Sequence, residues 1–296
     1  MKNSKWIFRI LLYLSLVLLI VYLVKLDYLS FQTITFSWQW LIVSTLLLWI
    51  GFFLSTVSWQ RALTYHGYKI DTRLALISHG LSVFAKYLPG KIWMILGRAA
   101  YVGNQRNVGV SELSFVSLKE QILYILIGLL ISFLPAVFFF QHQYWVWIIL
   151  LTALALGLVL FVQPLHQFAE RIMAKILRKK VLLPVISIKL SLRLGIYILL
   201  YWTFFSLGFY FLIQSLSTEA SLVHAFAFPL AVSYGVLALF TPGGIGVREG
   251  ILSAFLAATG LGLQEAITIS ALSRLWFISG EVFIFLLALA AKYLKK

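Results

Sequence analysis

Long apolar stretches, each about as long as a membrane-crossing helix, make up most of this chain. A helix that crosses a bilayer core of about 30 Å needs roughly 20 predominantly apolar residues. The pattern therefore predicts an all-α polytopic membrane protein. Its predicted spanning helices are 6–24, 38–60, 111–140, 144–162, 190–214 and 264–291.

Two further apolar segments, 74–103 and 222–262, are each interrupted by a helix-breaking Pro-Gly pair. Pro242 follows Pro89 by 153 residues, and each proline has an arginine shortly after it and a glutamate 23 residues later. Broken backbone at membrane depth is tolerated only where it is buried in protein or lines a polar cavity. Its presence in corresponding places of two halves indicates a transporter-type binding site.

The rest of the chain supports an internal repeat with the same offset. A shift of 153 residues places the helix 38–60 on 191–213, and Trp49 on Trp202. We therefore expect one transmembrane domain, 1–296, built from a first repeat of about 1–140 and a second of about 144–296.

Charge gives the expected orientation. The loop 163–189, both termini and the connection 61–73 are basic, so they are predicted to be cytoplasmic in a multi-pass protein of the cell membrane. Segment 74–103 must then begin and end inside, and segment 222–262 must begin and end outside. We expect an inverted repeat in which each half has a Pro-Gly-broken re-entrant hairpin. Two full crossings are the alternative that charge leaves open.

Composition removes several function classes. The chain is 62% hydrophobic and 11% charged, and its net charge of +15 lies mostly at helix ends and in loops, so nucleic acid is not an expected partner. Cysteine is absent, and the five histidines lack metal-ligand spacing. No metal or cofactor is expected.

Charged residues inside apolar sequence are the candidate functional groups, because each costs at least ~2.5–3.5 kcal/mol to insert. Buried charges also need partners, so some are expected to form ion pairs across the repeats. A glutamate among them is the alternative candidate for a proton-coupling role. The residues that fit one of these two roles are Glu112, Glu120, Glu265, Arg274 and Glu281.

Arg248 is the clearest binding candidate. The helix after Pro242 restarts only past the glycines, so Arg248 lies in its first turn, where a cation opposes the helix dipole. Free backbone N–H groups beside a guanidinium suit a phosphate. The predicted substrate-binding residues are Lys91, Arg98, Pro242, Gly243, Gly244, Gly246, Arg248 and Glu249.

The two broken segments carry a family resemblance. Leu88-Pro-Gly-Lys-Ile-Trp93 followed by Arg98, and Thr241-Pro-Gly-Gly-Ile-Gly-Val-Arg-Glu249, resemble the transmembrane region of lysylphosphatidylglycerol synthases and stand-alone proteins with that flippase-like fold. The resemblance covers essentially the whole chain and implies movement of aminoacylated phospholipid between leaflets. Synthase members continue into a soluble aminoacyl-transfer domain, whereas this sequence ends at Lys296, so synthesis of lysyl-lipid is not expected.

The leading hypothesis is therefore a non-enzymatic lipid translocase, or flippase, for an anionic or other phosphate-bearing lipid. A second hypothesis is a membrane enzyme with Glu249 or Glu265 as general base, although no nucleophile–base pair has convincing spacing. A third is a non-catalytic partner that recruits a separate lipid-modifying synthase or glycosyltransferase through the loop 163–189. Self-association into a homo-oligomer stays open.

Overall fold

The computed structural model describes residues 36–88, 92–139, 143–165, 167–168, 171, 187–238 and 241–294. The predicted helix 6–24, most of the basic loop 163–189 and the first break, Pro89-Gly90-Lys91, lie outside the described residues.

The described chain is helical, and in each half a long helix is followed by two short helices and a second long helix. The second half also begins with an additional helix, and it has 3-10 turns both before and after its first short helix. The first half contains α1 (Trp38–Tyr65), α2 (Thr72–Ser82), the 3-10 turn Val83–Tyr87, α3 (Trp93–Arg106) and α4 (Val110–Phe139). The second contains α5 (Gln143–Phe161), α6 (Ile188–Leu216), the 3-10 turn Leu222–Phe226, α7 (Ala227–Leu237), the 3-10 turn Pro242–Gly244, α8 (Val247–Ala258) and α9 (Leu263–Tyr293).

Within the described part of the chain, four helices are long and apolar enough to cross a membrane, namely α1, α4, α6 and α9. All four were predicted as spans. The predicted span 144–162 corresponds to α5, whose described apolar part, Val146–Phe161, is shorter. The broken segments form helices of 11 and 14 residues in the first half and 11 and 12 in the second, each below the roughly 20 residues that a crossing needs.

The two halves exchange their packing partners. Helices α1 and α6 pack along each other, α9 packs on α2, and α4 packs on α7. Each half's last long helix thus covers the first short helix of the other half. The paired tryptophans follow the same rule, since Trp49 stacks on Phe283 of α9 at 4.4 Å and Trp202 stacks on Tyr124 of α4 at 4.4 Å.

Close helix approach depends on glycine at these exchanged contacts. A Cβ on Gly80 of α2 would lie 2.5 Å from the carbonyl oxygen of Ile284, and one on Gly128 of α4 would lie 2.8 Å from the Trp202 ring. Distances under 3.0 Å are not found for real Cβ atoms. The helices can therefore approach this closely only because neither position has a side chain.

The two ends of each broken segment lie close together. Asp71, before α2, lies 3.6 Å from Nη2 of Arg106 at the end of α3. His224 Nε2, at the start of the second segment, lies 3.4 Å from the carbonyl oxygen of Thr259, which follows α8.

Charge divides the two ends of the bundle. The first segment opens beside the end of α9, because Arg73 Nε donates to the carbonyl oxygen of Ala291 at 2.7 Å. The second opens at the opposite end, beyond α6. The end with the first segment is the basic end, and its cations are Arg61, Lys69, Arg73, Arg106, Lys189, Arg193 and Lys292.

Candidate functional site

The second break is held by glycines that no other residue replaces without strain. Gly243 and Gly244 have φ angles of +59° and +73°, in the left-handed region that favours glycine. A Cβ on Gly243 would lie 2.8 Å from Nη2 of Arg274, and one on Gly244 would lie 2.8 Å from the backbone of Gly235. Arg274 Nη1 also donates to the Gly243 carbonyl at 3.0 Å, so the break is packed tightly against α9.

Arg248 lies in the first turn of α8 with only 4% of its surface exposed. Its guanidinium lies 5.0 Å from the ring centre of Phe228 and 4.9 Å from that of Phe277. Its Nη2 reaches the carbonyl oxygen and the hydroxyl of Ser273 only at 3.4 and 3.5 Å.

The bonding capacity of Arg248 is largely unused. Within the described part of the chain, no carboxylate oxygen lies within 4.0 Å of its guanidinium, and its Nε has no hydrogen-bond partner. A buried guanidinium ordinarily has an anion beside it, because desolvating a charge without a partner is costly. Arg248 is thus a desolvated cation with donors available for an anion.

Glu249 has a different role from its neighbour. Its Oε2 accepts a hydrogen bond from the Gly246 N–H at 2.7 Å, and its Oε1 lies 3.4 Å from Nη1 of Arg274. A carboxylate at this position is stabilised by the positive end of the helix dipole. The Gly246 N–H is one of the backbone donors that the sequence suggested for an incoming anion, and it already donates to Glu249.

Glu281 connects the two halves at the centre of the bundle. Its side chain is fully buried, forms an ion pair with Lys86, and accepts a hydrogen bond from the Tyr87 hydroxyl at 2.9 Å. Lys86 and Tyr87 belong to the 3-10 turn directly before the first break. The ion pair therefore joins a residue of the first half to a residue of the second.

These groups form what we call the central charge cluster, in which α9 contacts the second break and the 3-10 turn Val83–Tyr87. The Lys86 ammonium lies 4.8 Å from the centre of the Phe277 ring and the Arg248 guanidinium lies 4.9 Å from it, so both cations lie beside the same ring. The cluster contains three cations and two carboxylates, one positive charge in excess. Its members are Lys86, Arg248, Glu249, Arg274 and Glu281.

Arg98 and Glu120 form a separate ion pair. Nη1 of Arg98 lies 2.8 Å from Glu120, its Nη2 donates to the Ser117 carbonyl at 2.9 Å, and its guanidinium lies 4.3 Å from the Trp59 ring centre. The Ser58 hydroxyl donates to Glu120 at 2.6 Å. The described contacts of Arg98 are those of a structural ion pair. Lys91, its expected companion, lies outside the described residues.

Glu112 and Glu265 lie in the first turns of α4 and α9, away from the central charge cluster. Glu112 is exposed and accepts a hydrogen bond from the Tyr68 hydroxyl at 2.7 Å. Glu265 is half-buried. A carboxylate in the first turn of a helix is stabilised by the positive end of the helix dipole.

Sequence reasoning did not place Tyr87, Phe228 or Phe277 in the site. Tyr87 had a usable signal, because it stands two residues before the first break. The phenylalanines had none, since the chain has 24 of them and only packing distinguishes these two. Among the described residues there is also no group of three or more His, Asp or Glu residues that could hold a metal ion.

A polar cleft of about 410 Å³ opens at the basic end, where the first broken segment starts and finishes. Its polar lining residues are Asp71, Arg73, Tyr101, Gln105, Arg106 and Lys292. With three cations and one carboxylate, the cleft presents positive charge at the mouth of this segment.

Comparison with known proteins gives one family. The sequence profile described as the lysylphosphatidylglycerol synthase TM region matches residues 6–279. No curated protein and no solved structure matches the chain. The matched range includes both Pro-Gly breaks and four of the five members of the central charge cluster.

Proposed function

The chain belongs to the lysylphosphatidylglycerol synthase TM region family, and from this premise we propose that it is a lipid translocase of the cytoplasmic membrane. Its substrate is a phospholipid or related lipid with a phosphate in its headgroup. The headgroup binds between the two broken segments, while the acyl chains stay in the bilayer.

The observation that carries this proposal is the state of Arg248. A guanidinium that is 4% exposed, flanked by two aromatic rings and without a carboxylate within ion-pair distance in the described chain is suited to bind an anion. The excess positive charge of the central charge cluster favours the same ligand. Phosphate accepts hydrogen bonds from a guanidinium in a bidentate geometry, which a neutral headgroup does not offer.

The exchanged packing of the halves supports an inverted repeat with two re-entrant hairpins. The short helices are below spanning length, and each broken segment returns to its starting end. With the basic end in the cytoplasm, the first hairpin enters from inside and the second from outside. Alternating access then follows from exchange of the two halves' conformations around a site between them.

The enzyme hypothesis receives less support from the same contacts. Glu249 is engaged by the Gly246 N–H and Arg274, and Glu265 lies at a helix end rather than beside the breaks. Neither carboxylate is placed as a general base next to a nucleophile.

The test is exchange of labelled lipids between the leaflets of liposomes that contain the purified protein. We expect exchange of phosphatidylglycerol and its lysyl ester, and little exchange of a neutral glycolipid without phosphate. Arg248→Ala should lower phospholipid exchange by about tenfold or more, because a charge-assisted hydrogen bond contributes roughly 1.5–3 kcal/mol.

The matched control is Arg193→Ala, which removes an exposed arginine of α6 that lies near Tyr65 at the basic end. Its exchange rate should stay within about twofold of the unmodified protein, as expected for a surface cation. Exchange that is indifferent to both headgroup and Arg248 would contradict the proposal. So would folded protein that exchanges no lipid.

A further inference from the structure

Glu281 is a fully buried carboxylate whose two described partners both come from the other half of the molecule. Lys86 is its counter-ion and Tyr87 donates to its second oxygen at 2.9 Å. Both partners lie in the 3-10 turn that ends at Tyr87, and Leu88 alone separates Tyr87 from Pro89 of the first break. If the first hairpin moves against α9, either the Lys86–Glu281 ion pair breaks or the two residues move together.

Charged and titratable groups from three elements lie around Glu281. The 3-10 turn contributes Lys86 and Tyr87, α8 contributes Arg248, and α9 itself contributes Arg274 seven residues earlier. The side of α9 that packs on α1 contributes apolar groups, because Gly280 abuts Phe52 and Leu48. His79 of α2 lies within electrostatic range of Lys86. Lys86 is thus the direct cation partner of this carboxylate.

Lys86 is also within reach of the proposed substrate. It shares the Phe277 ring with Arg248, at 4.8 Å from the ring centre against 4.9 Å for the guanidinium. A phosphate bound by Arg248 therefore competes with Glu281 for the Lys86 ammonium. If the phosphate takes Lys86 while Glu281 stays ionised, a buried carboxylate loses its counter-ion, which is strongly unfavourable. A carboxyl group in that situation neutralises by binding a proton.

Resting on the proposed function, we propose that Glu281 is the proton-binding residue of the translocation cycle and that its protonation releases Lys86 to bind the lipid phosphate. A proton from water adds to Glu281, the Lys86–Glu281 ion pair breaks, and Lys86 and Arg248 together hold the phosphate. Release of the lipid restores the ion pair and returns the proton to water. Proton and phosphate binding therefore favour each other, and by linkage the effect is reciprocal.

This mechanism also accounts for charge. The central charge cluster has one excess positive charge when Glu281 is ionised and two when it is protonated. A phosphodiester with one negative charge then leaves the cluster with the same net charge as the empty, unprotonated state. Lipid and proton cross together, so a transmembrane proton gradient drives the net movement of lipid.

The test compares three proteins in phosphatidylglycerol liposomes at about pH 6 and about pH 8, because proton binding that is coupled to transport makes the exchange rate depend on pH. They are the unmodified protein, Glu281→Gln, and the control Glu265→Gln, a half-buried carboxylate at a helix end. We expect leaflet exchange to be several-fold faster at the lower pH for the unmodified protein and for Glu265→Gln. Glu281→Gln should exchange lipid at a rate that does not depend on pH.

A second measurement is independent of transport. Mixing detergent-purified protein with phosphatidylglycerol should take up about one proton per bound lipid, as a pH-sensitive dye reports, and Glu281→Gln should take up none. Soluble glycerol phosphate should give no uptake at the same concentration, because the site is entered from the bilayer. Uptake with glycerol phosphate but not with lipid would overturn the lipid as the coupled ligand.

The outcomes separate this proposal from the proposed function. Exchange by the unmodified protein that is equally fast at both pH values, or a pH dependence that survives in Glu281→Gln, overturns the role of Glu281 and leaves the translocase intact. Absence of all exchange overturns both. If Glu281→Gln does not fold, Lys86→Gln/Glu281→Gln removes both charges of the pair, and pH-dependent exchange by that variant overturns the proposal equally.

Discussion

Gly243 determines the shape of the second break through two separate constraints. Its φ angle of +59° is unfavourable for other residues, and its missing side chain leaves room for Arg274 and Tyr87. The carbonyl of the same residue accepts from Arg274. One glycine thus positions the break against both α9 and the 3-10 turn of the other half.

We expect Gly243→Ala to lower the free energy of unfolding by about 1–3 kcal/mol, the cost of a strained backbone residue. The control is Gly250→Ala on α8, where an added Cβ meets nothing within 4 Å. That change should be neutral or stabilising by up to about 1 kcal/mol, because alanine favours helix. Thermal unfolding in detergent measures both. Equal behaviour of the two variants would show that the break tolerates a side chain.

Arg98 was predicted as a phosphate ligand, and its contacts instead favour a structural role. Arg98→Ala leaves Glu120 buried without its cation and should destabilise the fold by about 3–5 kcal/mol. Arg98→Leu/Glu120→Leu removes both charges and should recover much of that loss. Thermal unfolding measures whether Arg98→Ala is less stable than the double variant. A normally stable Arg98→Ala protein that no longer exchanges lipid would restore the binding role.

At the scale of elements, the two ends of each broken segment lie close together. Local sequence explains why the helices stop, since Pro-Gly breaks helices and glycine allows the turn. The contacts between Asp71 and Arg106, and between His224 and Thr259, explain why the ends meet.

Labelling of introduced cysteines tests this arrangement in a chain that has none of its own. Thr72→Cys and Arg106→Cys are at the two exposed ends of the first broken segment, and Ser221→Cys and Gly262→Cys flank the second. We expect a membrane-impermeant maleimide to label the first pair only from the cytoplasmic side. The second pair should react only from outside. Labelling of all four from one side would rule out the inverted repeat.

At the scale of the whole molecule, the halves meet at contacts where a glycine of one half packs closely against the other half. Gly80 lies against Ile284 and Gly128 lies against Trp202. Because each contact joins a helix of one half to a helix of the other, these glycines set the spacing across which the halves would move.

We expect Gly80→Ala and Gly128→Ala each to destabilise the protein by about 1–3 kcal/mol, because overpacking forces the helices apart. Gly157→Ala on α5, where an added Cβ meets nothing within 4 Å, is the matched control and should not destabilise. If the halves rock against each other, the first two variants should also slow lipid exchange in protein that remains folded. Unchanged stability in all three would show that these contacts are loose.

Much of the architecture was predictable from sequence because membrane insertion constrains it strongly. Apolar length gave α1, α4, α6 and α9 within a few residues, and the 153-residue offset matches the starts of α4 and α9 at Val110 and Leu263. Glu281 and Arg274 were identified as charges that require partners. Their actual partners, Lys86 for Glu281 and Glu249 for Arg274, could not be assigned from spacing.

The sequence by itself determined that this chain is a helical membrane protein with two broken segments and buried charges, because hydropathy, helix breaking and the cost of an inserted charge are local properties. Only the tertiary structure decided which charges are satisfied. Arg98 forms an ion pair with Glu120. Glu249 contacts the N–H of its own helix start and Arg274. Arg248 lies beside two aromatic rings. Whether a charged side chain has a partner depends on which helices pack together and at which depth, and only long-range packing determines this.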